Sequence, residues 1–283
     1  MLSRTLLLSK HHGLGNDFLV LLDPDGSAPV SAEQAAALCD RRRGVGADGL
    51  IRAVPGGPAA QVTMELRNSD GSEAEMSGNG IRCLAQAVVD ADWVAGSFVI
   101  ATAGGPRRVA VRPGERPGLV WVEVSMGRVD VEPGERMVDG CDGRSWAGRA
   151  VTVGNPHLVL LERDPDVLAG LDLALLGPPI ETSVPAGQNV EWVTPLGDSG
   201  RLALRVWERG AGITQACGTG SVAAAAAAAA WGLAGERAEL RNPGGALEVD
   251  LSGGEAVLSG PAAFVARVEV DRRLSVLGTE GLP

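Results

Sequence analysis

The chain has 283 residues, 45% of them hydrophobic and 21% charged, a globular composition long enough for one large domain or two of about 140 residues. Its 25 basic and 35 acidic residues leave a net charge of −10, which argues against a nucleic-acid or anionic-membrane partner. The longest near-apolar stretch, 222–234, falls short of the roughly 20 residues of a membrane span, and the apolar run near the N-terminus is too short for a signal peptide, so a cytoplasmic protein is expected.

Alternating apolar runs bounded by Gly, Pro, Asp or Asn predict strands at 5–9 and 18–22, then a helix over 31–40. Ser31 and Gln34 open that helix with a capping box. Further strands are predicted at 61–66, 97–101, 108–111 and 119–124, with helices over 80–89 and 219–233. Strands dominate, so the fold class is α+β. The eight alanines 223–230 predict a buried, closely packed helix, because alanine combines high helix propensity with a small side chain.

Lys10 is the only lysine and ends a strand-like run, a poor setting for the Schiff base of a pyridoxal enzyme. The four cysteines form no CxxC and the three histidines no zinc motif, so neither a metal nor another cofactor is expected. Cys39 and Cys83 lie on apolar helix faces, where core packing is the expected role. Cys141 sits between acids and receives no role.

One feature recurs. Ser77-Gly78-Asn79-Gly80 leads into one predicted helix, and Cys217-Gly218-Thr219-Gly220 leads into another 140 positions later, almost half the chain. A single Gly-x-Gly before a helix means little. Two at half-chain spacing suggest two similar domains, each aiming a helix N-terminus at a common site. Such a terminus offers unpaired N–H groups to a carboxylate and favours the thiolate of a cysteine seated there. Cys217 is therefore the expected reactive thiol. Two acid/base groups facing one carbon from opposite sides are what a cofactor-free racemase or epimerase needs, with the carbanion stabilised through hydrogen bonds to its carboxylate.

Specific motifs then carry a resemblance over nearly the whole chain. They are His12-Gly13-Leu14-Gly15-Asn16-Asp17-Phe18, Gly44-Val45-Gly46-Ala47-Asp48-Gly49, Asn68-Ser69-Asp70-Gly71-Ser72-Glu73-Ala74-Glu75-Met76, Gly154-Asn155-Pro156-His157, Asn189-Val190-Glu191 and Glu208-Arg209-Gly210-Ala211-Gly212. With the two Gly-x-Gly loops, the chain resembles the diaminopimelate epimerases. The resemblance implies an isomerase that interconverts LL- and meso-diaminopimelate without a cofactor, commonly as a homodimer. It implies two similar domains, each a curled, mostly antiparallel sheet around a central helix, with the active site in the cleft between them. The first would cover 1–126, completed by a last strand in 265–283, and the second 127–264.

By position, Cys217 matches one catalytic cysteine of that family. Gly78, Asn79, Gly218 and Thr219 match the loops that hold the reacting carboxylate, with Asn16 near the reacting end. Asn68, Asn155, Asn189, Glu208 and Arg209 match the residues that bind the distal amino-acid group. On their residues alone, Asn68 and Asn155 read equally as turn formers and Glu208–Arg209 as a surface pair. His157, as a lone histidine, has a structural hydrogen-bonding role by default, while its place in Gly-Asn-Pro-His equally suits a residue lining the site.

The chain departs from the family pattern at Ser77, where the other catalytic cysteine is expected. A serine hydroxyl is a poor base unless a neighbour activates it. Three readings follow: an engineered cysteine-to-serine change, a natural variant that still epimerises, or a relative doing one-base isomerase or lyase chemistry with Cys217 alone. A ligand-binding relative without turnover is the non-enzymatic alternative. Ile213 stands where the family usually has Glu, a loss expected to alter the surroundings of Cys217, and Arg41-Arg42-Arg43 replaces the stretch before Gly-Val-Gly in which a Phe is usual.

Overall fold

The structure is a computed structural model that describes residues 5–74, 76–197 and 200–271. It divides into two compact units, one running to Val124 and resuming at Pro261, the other Ser125–Gly260. Of the expected terminal strand, residues 272–283 lie outside the described residues, as does Glu75 of the Asn68–Met76 motif.

In the first unit, β1 (Thr5–Gly13) and β2 (Asn16–Leu22) form a hairpin whose tight turn puts Leu14 and Gly15 at positive φ. The helix α1 (Ala32–Cys39) opens on Ser31 with the capping box that the sequence predicts. The strand β3 (Gly49–Pro55) pairs parallel with β2 and antiparallel with β4 (Val62–Asn68), which turns into the short β5 (Glu73–Ala74). Then come α2 (Gly78–Asp90) and the antiparallel β6 (Ser97–Thr102), β7 (Gly105–Pro113) and β8 (Leu119–Gly127).

The second unit repeats the plan. After β9 (Asp130–Val131) and β10 (Arg136–Asp139), the hairpin of β11 (Ser145–Thr152) and β12 (Pro156–Leu161) leads to α3 (Pro165–Gly170) and α4 (Leu173–Glu181). The strand β13 (Asn189–Pro195) pairs parallel with β12 and antiparallel with β14 (Arg201–Glu208), followed by β15 (Gly212–Ile213) and α5 (Gly218–Ala230). The unit ends with β16 (Arg237–Asn242), β17 (Gly245–Asp250) and the first residues of β18 (Ala256–Asp271). The later residues of β18 pair with β1, so the last strand returns to the first unit as the resemblance implies.

The repeat holds rung by rung. Ile51 pairs with Leu66 as Glu191 pairs with Val206, Arg67 with Glu73 as Trp207 with Ile213, and Val62 with Ile100 as Leu202 with Leu240. From β3 to β7 each partner recurs 140 positions on. Side-chain identity does not follow: Ile51 becomes Glu191, Asn68 becomes Glu208 and Arg82 becomes Val222.

Each unit wraps its sheet around one helix. The strands β1, β2, β3 and β7 pack on α2, whose residues Gly78–Val88 are buried throughout. The strands β11–β14, β16 and β17 pack on α5, whose buried alanines let the sheet close tightly around it. That helix stops at Ala230, three residues short of expectation, because Gly232 turns to positive φ and donates to the Ala229 carbonyl. The sequence did not predict α3 and α4; in α4 Pro178 and Pro179 sit inside the helix and break its signature. No described helix is long and apolar enough to cross a membrane. Arg41, Arg42 and Arg43 are all exposed, a setting that tolerates polar residues.

Candidate active site

Ser77 and Cys217 occupy the same station in their units. Ser77 precedes α2 at φ −133°, ψ 123°, and its Oγ accepts the Gly80 N–H at 3.0 Å. Cys217 precedes α5 at φ −118°, ψ 122°, and its Sγ accepts the Gly220 N–H at 3.3 Å. Both are N-caps, one by oxygen and one by sulfur. The next residues, Gly78 and Asn79 in one unit and Gly218 and Thr219 in the other, form the first turns of α2 and α5.

In the first unit the start of α2 gathers two of the expected residues. Asn79 Nδ2 donates to Asn16 Oδ1 at 3.1 Å, and Asn16 Nδ2 donates to Asp48 Oδ2 at 2.7 Å. Asn68 is exposed and closes a turn, donating to Ser72 Oγ at 3.0 Å, which matches its plain reading as a turn residue. Lys10 is held by Asp17 at 2.8 Å and the Gly46 carbonyl at 2.6 Å, a structural ion pair. Cys39 and Cys83 are buried in the core, as expected.

In the second unit the ends of β12, β13 and β14 gather the rest. Asn189 Oδ1 accepts the Arg209 N–H at 2.9 Å, while the exposed Arg209 guanidinium donates to the Ala186 carbonyl at 2.9 Å. Asn155 Oδ1 meets His157 Nε2 at 2.9 Å, and His157 Nδ1 meets Glu191 Oε1 at 2.7 Å. Both ring nitrogens of His157 are thus engaged by side chains. The Thr214 hydroxyl donates to Glu208, which lies beside the Cys217 thiol and not on the open surface.

The sequence did not single out Glu191. It is fully buried, its Oε2 meets no hydrogen-bond partner among the described residues, and it lies against Gly220. A Cβ on Gly220 would stand 2.7 Å from Glu191 Oε1 and 3.2 Å from Cys217 Sγ, so only glycine lets carboxylate and sulfur share that space. The signal was an acid inside the otherwise apolar strand Asn189–Pro195.

Electrostatics correct one expectation. Burial, then the Glu208 and Glu191 carboxylates, push the Cys217 thiol well above its ordinary 9.0; contacts with Thr219 and the Gly220 N–H oppose this and lose. A helix N-terminus contributes about 0.3–2 kcal/mol, less than full desolvation beside two acids. Cys217 therefore rests as a neutral thiol, a proton donor, and not as the expected thiolate. Burial also raises the Glu208 carboxyl, with Glu191 adding to the rise. Ile213 is half exposed on β15, opposite Trp207, and does not figure among the groups that shift the thiol. Among the described residues no cluster of three or more His, Cys, Asp or Glu could hold a metal.

Residues 8–132 and 149–265 match the profile of the family described as diaminopimelate epimerase. The chain belongs to that family. It is 43% identical over 278 residues to the diaminopimelate epimerase of Synechococcus sp. (strain JA-2-3B'a(2-13)), covering 92% of this chain and 96% of the relative. It is also 43% identical to that of Thermobifida fusca (strain YX), covering 95% and 98%. Among solved structures, a Bacillus anthracis phenazine biosynthesis protein of the PhzF family superposes at TM-score 0.70 with 15% identity, covering 94% of this chain and 99% of that one. A hydroxyproline epimerase from Agrobacterium vitis does so at 0.68 with 16% identity, covering 95% and 93%. At that identity the likeness concerns the fold alone. This diaminopimelate epimerase family member thus carries a serine where the family resemblance places its first cysteine.

Proposed function

We propose that the protein interconverts LL- and meso-diaminopimelate by cofactor-independent transfer of the α-proton, with Cys217 as one acid/base and Ser77 at the position of the other. The observation that carries this reading is the repeated cap: two helices, one per unit, each opened by a side chain able to exchange a proton and followed by the first turn of a helix N-terminus. The two helix N-termini, at Gly78 and Asn79 and at Gly218 and Thr219, suit a substrate carboxylate and the negative charge that develops when the α-proton leaves.

Cys217 enters as a neutral thiol and protonates the α-carbon; the thiolate it becomes is met by the Gly220 N–H and Thr219. Asn16 belongs at the reacting end. Asn68, Asn155, Asn189, Glu208 and Arg209 are assigned to the distal amino-acid group, where Arg209 can grip a carboxylate with its planar fork and Glu208 can pair an ammonium. The family resemblance also supports a homodimer in the cytoplasm, and a solution mass of two chains by light scattering tests the dimer.

Ser77 is the weak element, because an unactivated hydroxyl is a poor base at neutral pH. It favours a second reading, in which Cys217 is the sole thiol base of a related isomerase or lyase. LL-to-meso conversion in deuterated water, for this chain beside Ser77→Cys, separates them. The epimerase reading expects Ser77→Cys to be faster by a factor of about 100, a barrier difference of ~2.7 kcal/mol. Deuterium wash-in with retained configuration in both proteins, or an elimination product, establishes the second reading instead.

A further inference from the structure

Two arginines are buried in the first unit, and they are treated differently. Arg52 pairs with the buried Asp23 at 2.6 Å, the usual way to keep a guanidinium out of water. Arg82 on α2 is fully buried, and its described partners are all neutral oxygens: Nε donates to the Pro261 carbonyl at 3.2 Å, Nη1 to the Gly78 carbonyl at 2.9 Å and Nη2 to Asn79 Oδ1 at 2.8 Å. Burial brings its pKa down to about 10, which still leaves it protonated at neutral pH. The fold does not need a cation at this station, because the equivalent residue of α5 is Val222, also fully buried.

An arginine can only donate hydrogen bonds and a carboxylate can only accept them, whereas an asparagine amide can be turned either way. Arg82 Nη2 draws the oxygen of Asn79 towards itself, which turns Asn79 Nδ2 outward to Asn16 Oδ1 at 3.1 Å. That in turn sends Asn16 Nδ2 to Asp48 Oδ2 at 2.7 Å. Asp48 is fixed by the Arg41 guanidinium at 2.6 Å and the Asp17 N–H at 3.1 Å, and Arg41 and Lys10 clamp Asp17 in turn. Arg82 to Asn79 to Asn16 to Asp48 is therefore a one-way chain, with an obligate donor at one end and an obligate acceptor at the other.

We propose that Arg82 and Asp48 are positioning residues that fix the amide orientation of Asn79 and Asn16 through this chain, so that Asn16 offers a ligand an N–H donor. The proposal rests on the reading that these asparagines meet substrate, and it deepens that reading by selecting what they recognise. Among the described residues Asn16 commits its oxygen to Asn79 and one amide hydrogen to Asp48. Its second hydrogen suits a carboxylate oxygen and repels an ammonium. The second unit, with Thr219 and Val222 at the equivalent stations, has no such device.

The test uses the full chain labelled with [15N]asparagine. Side-chain amide signals of Asn16 and Asn79 are assigned from Asn16→Asp and Asn79→Asp, and their hydrogen exchange is compared in the parent, Arg82→Lys and Asp48→Asn. Lysine keeps the buried charge but cannot reach three acceptors, and the amide of Asp48→Asn no longer enforces one polarity. Asp48 is solvent-exposed, so Asp48→Asn keeps the test valid should Arg82→Lys fail to fold. Asn16 amide exchange is expected to accelerate at least tenfold in Asp48→Asn, with KM for diaminopimelate up about tenfold and kcat within threefold, the pattern of lost uniform binding. A merely structural role would lower the melting temperature and leave the amide exchange and KM alone, and that result overturns the proposal. Faster amide exchange in Asp48→Asn, together with a parent that does not bind diaminopimelate, upholds the positioning chain and removes only the substrate reading.

Discussion

The protonation state of Cys217 decides which half of the reaction the resting protein is prepared for. A cap position that would ordinarily favour thiolate is overruled by burial and by the Glu208 and Glu191 carboxylates, so the thiol waits as an acid. Two consequences can be measured on the same digest. Iodoacetamide at pH 7 should label the exposed Cys141 well before Cys217, with Cys217 labelling rising only in strongly alkaline solution. Glu208→Gln removes a nearby anion, so the thiol pKa should fall and Cys217 labelling should extend to lower pH. Faster labelling of Cys217 than of Cys141 at pH 7 would show that the helix terminus prevails after all. None of this was legible in the sequence, where Cys217 is visible only as a cysteine ahead of a helix. Its two carboxylate neighbours, Glu208 and Glu191, stand on strands nine and 26 positions upstream in sequence.

At the level of elements, the caps of α2 and α5 look alike but are packed differently, and their glycines tell them apart. A Cβ on Gly80 would meet Ile51 Cδ1 and Ser77 Cβ at 3.2 Å and Met64 Cε at 3.4 Å, where the ends of flexible side chains can give. On Gly220 it would press against Glu191 Oε1 at 2.7 Å, an atom already bound to His157. Gly80→Ala should therefore stay within about 1 kcal/mol of the parent, helix propensity offsetting the tighter fit. Gly220→Ala should cost about 1–3 kcal/mol as the carboxylate is displaced. Urea midpoints compare the two, and equal costs would mean that Glu191 moves freely. The loop-to-helix repeat was readable because a Gly-x-Gly cap leaves a fixed trace. The rungs beneath it were not, because the pairing geometry recurs while Ile51 and Glu191, or Arg82 and Val222, share no hydropathy. In the first unit the alternating β4 and β6 announced themselves by period, whereas β3, buried on both faces, was not predicted, and α4 was hidden by its two prolines.

Across the whole molecule the two units carry opposite acid responses. In the first, Asp17 and Asp23 are held below their ordinary 3.8 although burial opposes this: Arg41 and Lys10 stabilise the charge on Asp17, and the Ala28 and Ser27 N–H groups with Arg52 stabilise that on Asp23. A depressed carboxyl contributes stability that is present above the unfolded pKa and is lost as pH falls through the folded one. In the second, burial raises Glu208 above 4.5, so its contribution is present below that value and is withdrawn as pH rises through the folded pKa. Acidification below about pH 4 should thus loosen the first unit while relieving the second. Pulsed hydrogen exchange along a descending pH series should show β2 and β3 losing protection before β13 and β14. Asp23→Asn should remove much of that pH dependence while costing about 3–5 kcal/mol at neutral pH, because it leaves the buried Arg52 without its buried partner. Simultaneous loss of protection in both units would mean that they unfold as a single cooperative body, and earlier loss in β13 and β14 would place the acid-sensitive groups in the second unit.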